Sequence, residues 1–134
     1  MFFAAVGLAV MTNAQGHIAN IQQYTIEDGL ASNAISGVVQ DEGGFIWVAT
    51  RHGLNRFDGQ QFKLYSKRSH HFPNNNIGSI AIDGKNNLWL TFLKPGDSFT
   101  PTDEPVVFNT LTEKYEPFLD VFKDEWDNDW QLPT

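Results

Sequence analysis

Histidines and carboxylates are the raw material for chemistry in this 134-residue sequence, which contains no cysteine. Without a thiol there is no disulfide framework, no Cys-based metal site and no sulfur nucleophile. The adjacent His70 and His71 are the pair that would suggest a metal, because neutral imidazole is a common ligand. They stand in a loop with Ser66, Ser69 and Pro73 and lack the i, i+4 helical spacing of a preformed site, so a surface loop is expected and no metal. His17 and His52 add no ligand pattern. Asp41 and Asp83 would need a second acid within reach to act in catalysis, and nothing supplies one. Each precedes a Gly-rich or Asn-rich stretch, where an aspartate fixes the turn by accepting backbone N–H groups two residues on. No Gly-rich nucleotide loop appears, and no His sits in a kinase-like helical context. The expectation is therefore no catalytic residue and no cofactor.

Charge narrows the partners. A net charge of -7 argues against nucleic acid, whose binding is driven by surplus Lys and Arg. Arg51, Arg56, Lys63, Lys67 and Arg68 fall close together, while Asp120, Asp124, Glu125, Asp127 and Asp129 crowd around Lys123. These read as a solvated surface and an acidic tail. With 41% hydrophobic and 13% aromatic residues the chain has the means to build a ring-rich interior, unlike disordered sequences.

The elements that must position these residues follow from an internal repeat. Asn33, Ile35, Asp41 and Trp47 recur as Asn75, Ile77, Asp83 and Trp89, all displaced by 42 residues, and no gap is needed from Ser32 to Thr50. A period of about 40 to 45 residues with four strand-like runs per unit is the signature of a β-propeller blade, whereas helical repeats would show a 3.6 period. In the first unit strands are expected at Ile35 to Gln40, Phe45 to Thr50, Leu54 to Phe57 and Gln61 to Tyr65. The turn Asp41-Glu42-Gly43-Gly44 and the hairpin dipeptide Asp58-Gly59 separate them. The second unit repeats this at Ile77 to Ile82, Leu88 to Phe92, Val106 to Asn109 and Tyr115 to Phe118, with about nine residues inserted within 93–105, where Pro95, Gly96 and Pro101 mark a loop. Trp47 and Trp89 are expected to pack between blades as structural residues.

Ahead of the first unit, Ile21 and Tyr24 match Phe62 and Tyr65 in spacing and read as a fourth strand without its first three. The residues from Met1 to Val10 hold a short apolar run and Thr12-Asn13-Ala14 offers small residues for a signal peptidase, with cleavage after Ala14. A secretory signal begins with positive charge, yet the first Lys or Arg is Arg51, so the start reads as clipped; the competing reading is a buried N-terminal strand or helix. The expected organisation is a signal-like segment at 1–14, an N-terminal strand region at 15–32, blade one at 33–74, blade two at 75–118, and at 119–134 an acidic tail or the start of a further blade. The fold class is all-β: about two four-stranded antiparallel blades of an incomplete propeller.

The stretches Asp28-Gly29-Leu30, Asn33-Ala34-Ile35, Gln40-Asp41 through Gly44-Phe45-Ile46-Trp47, and Thr50-Arg51-His52-Gly53-Leu54-Asn55-Arg56-Phe57-Asp58-Gly59 resemble the two-component regulator propeller repeat. That repeat forms the periplasmic sensor region of bacterial hybrid two-component systems. Trp47-Val48-Ala49-Thr50 keeps the form of its Trp-Ile-Gly-Thr wording with Ala49 in the glycine place, whereas Trp89-Leu90-Thr91-Phe92 lacks the Gly-Thr ending and the insertion interrupts the Gly-Leu motif. The resemblance covers Ile21 to about Phe118. It implies that the chain is an N-terminal fragment, with Ile21 to Tyr24 completing a last blade supplied from far downstream. The parent would be anchored in the inner membrane, with many more blades, a second sheet domain and a histidine kinase core, and could be a homodimer. An oligosaccharide or another small ligand would be sensed in the periplasm.

Strand direction says where to look for that ligand. Strands alternate, so Arg51-His52, Ser66 to Asn76, Glu27 to Ser32 and 93–105 open on one face, and the other face receives only tight turns. Binding residues concentrate on long loops held by a rigid scaffold. Arg51, His52, His70 and His71 are therefore the ligand-binding candidates. The competing functions are part of a propeller lyase or hydrolase, and a purely structural interaction propeller.

Overall fold

The computed structural model describes residues 6–9, 21–102 and 104–121. The small-residue site at Thr12 to Ala14 and the acid-rich stretch from Asp124 to Asp129 lie outside the described residues.

Two four-stranded antiparallel sheets form the body of the molecule. Blade one consists of β3 (Ile35–Gln40), β4 (Ile46–Thr50), β5 (Gly53–Phe57) and β6 (Phe62–Tyr65), in that order across the sheet. Blade two consists of β7 (Ile77–Ile82), β8 (Asn87–Phe92), β9 (Val106–Asn109) and β10 (Lys114–Pro117). Each is a meander, and the expected all-β pair of blades is what forms. Even the irregularities repeat: the ladder slips between Ile35 and Gly37 in blade one and between Ile77 and Ser79 in blade two. A further pair, β1 (Val6–Ala9) and β2 (Ile21–Tyr24), precedes blade one. Tyr24 of β2 lays its ring against Phe57 at 4.6 Å and Phe62 at 5.8 Å.

Period-two alternation sends one set of side chains from each blade into a shared core. Trp47, Ala49, Leu54 and Tyr65 of blade one meet Ile77, Leu88, Leu90, Phe92, Val106 and Phe108 of blade two, with Phe72 from the connection between them. Trp47 is fully buried, with ring centroids 5.3 Å from Tyr65 and 5.7 Å from Phe108. Offset and edge contacts of this kind stabilise by about 0.5–1.5 kcal/mol beyond the area they bury. Where β3 meets β7 the backbones come close: a Cβ on Gly37 would stand 2.6 Å from Ile80 Cγ2, so a side chain there would wedge the blades apart. Beside it the Ser36 hydroxyl reaches the Ile77 carbonyl at 2.7 Å, stitching one blade to the other.

The connections carry the repeat as well. A single 3-10 turn at Ile26–Asp28 is capped by Thr25, and α1 (Lys67–His70) is capped by Ser66, each through a reciprocal capping box. The side-chain oxygen of Asn33 accepts from the N–H of Ile26 at 3.3 Å, and that of Asn75 from the N–H of Lys67 at 2.7 Å. Here is the reason an asparagine opens each unit: it satisfies a helix donor that has no intrahelical partner. Both turns end on a left-handed residue, Gly29 in the first and His71 in the second, followed by buried Leu30 and Phe72.

Candidate functional site

Where β4 turns into β5, Thr50 sets the two-residue connection Arg51-His52. Its buried hydroxyl donates to the Gly53 carbonyl at 2.8 Å and accepts from the His52 N–H at 3.1 Å. Gly53 has φ 128°, and a Cβ there would meet the Tyr65 carbonyl at 2.8 Å, so the turn closes only on glycine. Arg51 and His52 are thereby held, exposed, at the edge of blade one.

Opposite them stands the insertion of blade two, which folds on itself. The Leu93–Pro101 bridge, a bond from the Lys94 N–H to the Thr100 carbonyl and a turn around Asp97 give it internal order. Asp97 accepts from the N–H groups of Phe99 at 2.8 Å and Thr100 at 3.2 Å. The Thr100 side chain first, and these N–H groups next, hold its carboxyl below the usual range. Asn74 donates to the Leu93 carbonyl, and the Asn76 amide donates to the carbonyls of Lys94 and Asp97, at 3.2 and 2.7 Å. Arg51 reaches across with a 2.6 Å bond from Nη1 to the Ser98 hydroxyl.

Between these walls lies a cleft of about 490 Å³, lined by Arg51 and His52, Lys67, Asn74 to Asn76, and Pro95 to Asp97. Three of the four loop segments expected on this face converge on it; none of the lining residues comes from Glu27 to Ser32. A second, apolar hollow of about 20 Å³ among Tyr24, Leu30, Val48 and Phe62 has room for little more than a water.

Of the four ligand-binding candidates, Arg51 and His52 line the cleft and the other two are placed elsewhere. His70 lays its ring on Tyr65 at 4.5 Å, with Nδ1 2.8 Å from the Ser69 hydroxyl. Burial pushes its pKa down, Lys63 and His71 add to that, and Glu113 opposes it. His71 serves as the left-handed C-cap of α1, at φ 59°. Lys67 and the three asparagines were not among the ligand-binding candidates, although Ser66 to Asn76 was expected on this face, with Lys67 in the basic stretch and Asn75 as the repeat of Asn33.

Asp41 and Asp83 make turns, and each does one thing more. Asp41 accepts from the Phe45 N–H at 3.0 Å and from the Trp47 indole at 2.8 Å. Asp83 takes the N–H groups of Lys85 and Asn87 and the Trp89 indole, the last at 3.1 Å. The aspartate and tryptophan of the repeat are thus partners six residues apart, which their common displacement signalled.

On the blade-to-blade seam, Glu113 accepts from Arg56 Nη1 at 3.1 Å, Lys63 Nζ at 2.7 Å and the Tyr65 hydroxyl at 2.7 Å. The bond from Lys63 is the main cause holding its carboxyl below the ordinary range, and Tyr65 is pushed upward by burial and by that carboxylate. Arg51, Lys67 and Arg68 have no carboxylate in ion-pair range among the described residues. Nor, among the described residues, do three or more His, Asp or Glu gather where they could hold a metal. No described helix is long and apolar enough to cross a membrane.

Comparison with known proteins fits this architecture. Residues 29–52 match the family described as two component regulator propeller. Histidine kinase P4 of Formosa agariphila is 41% identical over 58 residues, which is 43% of this chain and 4% of that protein. The extracellular domain of BT3049 from B. thetaiotaomicron, described as a hybrid two component system, superposes with a TM-score of 0.58 at 27% identity, over 72% of this chain and 13% of that one. That of BT4673, from the same organism and described as a one component system, superposes at 0.56 and 16% identity, over 74% of this chain and 13% of that one. The chain therefore spans a small part of each relative's length.

Proposed function

We propose, from a chain that carries a two-component regulator propeller repeat and folds into blades, that it is part of an extracytoplasmic sensor. In this reading it is non-catalytic and binds an oligosaccharide on its long-loop face. A histidine kinase in the same longer polypeptide, anchored in the inner membrane, answers to it. The observation that carries this reading is the cleft in which loops of two blades converge around Arg51 and His52. Its size falls in the range of small-molecule sites, about 300–1,000 Å³. Its walls offer amide, imidazole and guanidinium groups able to meet sugar hydroxyls. The turn that carries Asp97 also carries Phe99, 89% exposed, an aromatic face on which the C–H side of a sugar ring can pack.

An oligosaccharide panel titrated against the chain, followed by amide chemical shifts, tests it. Shifts are expected at Arg51, His52 and Asn74 to Asn76. The double substitution Arg51→Ala, His52→Ala should weaken binding at least tenfold while stability stays within about 0.5 kcal/mol, as is usual for exposed positions. Unchanged binding in that variant, or shifts confined to the opposite face, would remove the reading.

A further inference from the structure

We propose that the cleft selects a saccharide bearing an anionic substituent, a carboxylate or a sulfate ester, and that Arg51 and Lys67 are the residues that take it. This rests on the reading of the cleft as the saccharide site. The basic stretch of the sequence contains five cations, and the fold divides them. Arg56 and Lys63 turn to the blade seam, where both pair with the single carboxylate of Glu113. Arg51, Lys67 and Arg68 are exposed without a carboxylate in range among the described residues, and Arg51 and Lys67 line the cleft.

The one acid among the described lining residues, Asp97, leaves those cations unanswered. Its carboxylate is engaged by the N–H groups of its own turn and is bonded to neither of them. The described lining residues thus carry one net positive charge from Arg51, Lys67 and Asp97, on a chain whose net charge is -7. A site for neutral hydroxyls needs no such excess, because amides and carbonyls suffice. An anionic group seated by a guanidinium forms charge-assisted bonds, roughly twice as strong as neutral ones. The Arg51 guanidinium is already oriented by its bond to Ser98, so less freedom is lost on binding.

The test compares three probes on the chain by calorimetry, with amide chemical shifts to locate each, at 20 and 300 mM NaCl: trigalacturonate, its full methyl ester, and a sulfated galactotriose. At low salt at least one anionic probe should bind tenfold or more tighter than the ester, and which one identifies the charge source. The preference should shrink at high salt and disappear in the double substitution Arg51→Gln, Lys67→Gln, with the circular dichroism unchanged. If the ester binds at the cleft as tightly as both anions, the charge selection is wrong and the saccharide site survives. If no probe shifts the cleft residues, both fall.

Discussion

Blade one and blade two begin from the same instructions and end differently. Each has the Asp-to-indole bond, the slipped ladder after its first Ile and a capped turn leading in. In blade one the second and third strands are joined by Arg51-His52 alone, and Trp47 is fully buried against blade two. In blade two the same connection is the ordered insertion, and Trp89 is half-buried, with Phe118 at 5.6 Å. The framework is copied and the loops diverge. The cleft arises from that divergence, because a short turn on one blade faces a long one on the next.

The largest effect should fall where the blades differ in burial. Trp47→Ala removes a fully buried ring from the core and is expected to cost about 3–5 kcal/mol. Trp89→Ala, at a half-buried position, should cost about 1–2 kcal/mol. Urea denaturation of both variants measures the gap. Equal losses would mean that the two tryptophans do the same work and that the contrast between the blades is superficial.

The strand pattern of both blades was legible because alternation, Asp-Gly and Gly-Gly turns and a constant displacement all point the same way. Boundaries such as β5 starting at Gly53 differ by a residue only. Helix α1 was not legible: four residues hold no apolar period, and its signal is the Ser66–Ser69 cap pair. The site was half legible. Strand direction places Arg51-His52 on the long-loop face, but His70 and His71 owe their positions to α1, which turns one into the rings and uses the other as a cap. Glu113 carries no local signal, because its partners stand 48 to 57 residues away.

The next effect concerns that seam. Glu113→Gln keeps the size and loses the charge, and is expected to cost about 1–3 kcal/mol, since Arg56, Lys63 and the buried Tyr65 hydroxyl lose their anion. The pH dependence has a definite sign. The folded-state pKa of Glu113 is lowered, so its contribution is complete above the ordinary carboxylate value of 4.5 and is lost as pH falls through the depressed value. Thermal melts from pH 7 to pH 3 should show wild type losing more stability than the Gln variant. Parallel curves would mean that the seam is held by the core alone.

The smallest effect should come from the caps. His71 occupies the left-handed position that Gly29 holds in the preceding copy, at φ 59° against 102°. His71→Gly should stabilise by about 0.5–1 kcal/mol, the relief of left-handed strain less the entropy glycine costs. It should leave saccharide binding unchanged. A loss of binding at unchanged or higher stability would return His71 to the site and add a ligand contact from the connection between the blades that the turn ahead of blade one lacks.

The Asp-to-indole bond closes over six residues, whereas the Arg56–Glu113 bond spans 57. During synthesis at about 5–20 residues per second, an aspartate meets its tryptophan within about a second. Arg56 waits about 3–11 seconds for Glu113 to be made. Through that interval the Trp47 face of blade one is on a nascent chain with no Phe108 to cover it. The repeat lets each hairpin order itself early, and the same spacing leaves the wettest, stickiest moment of the molecule's life between the first blade and the second.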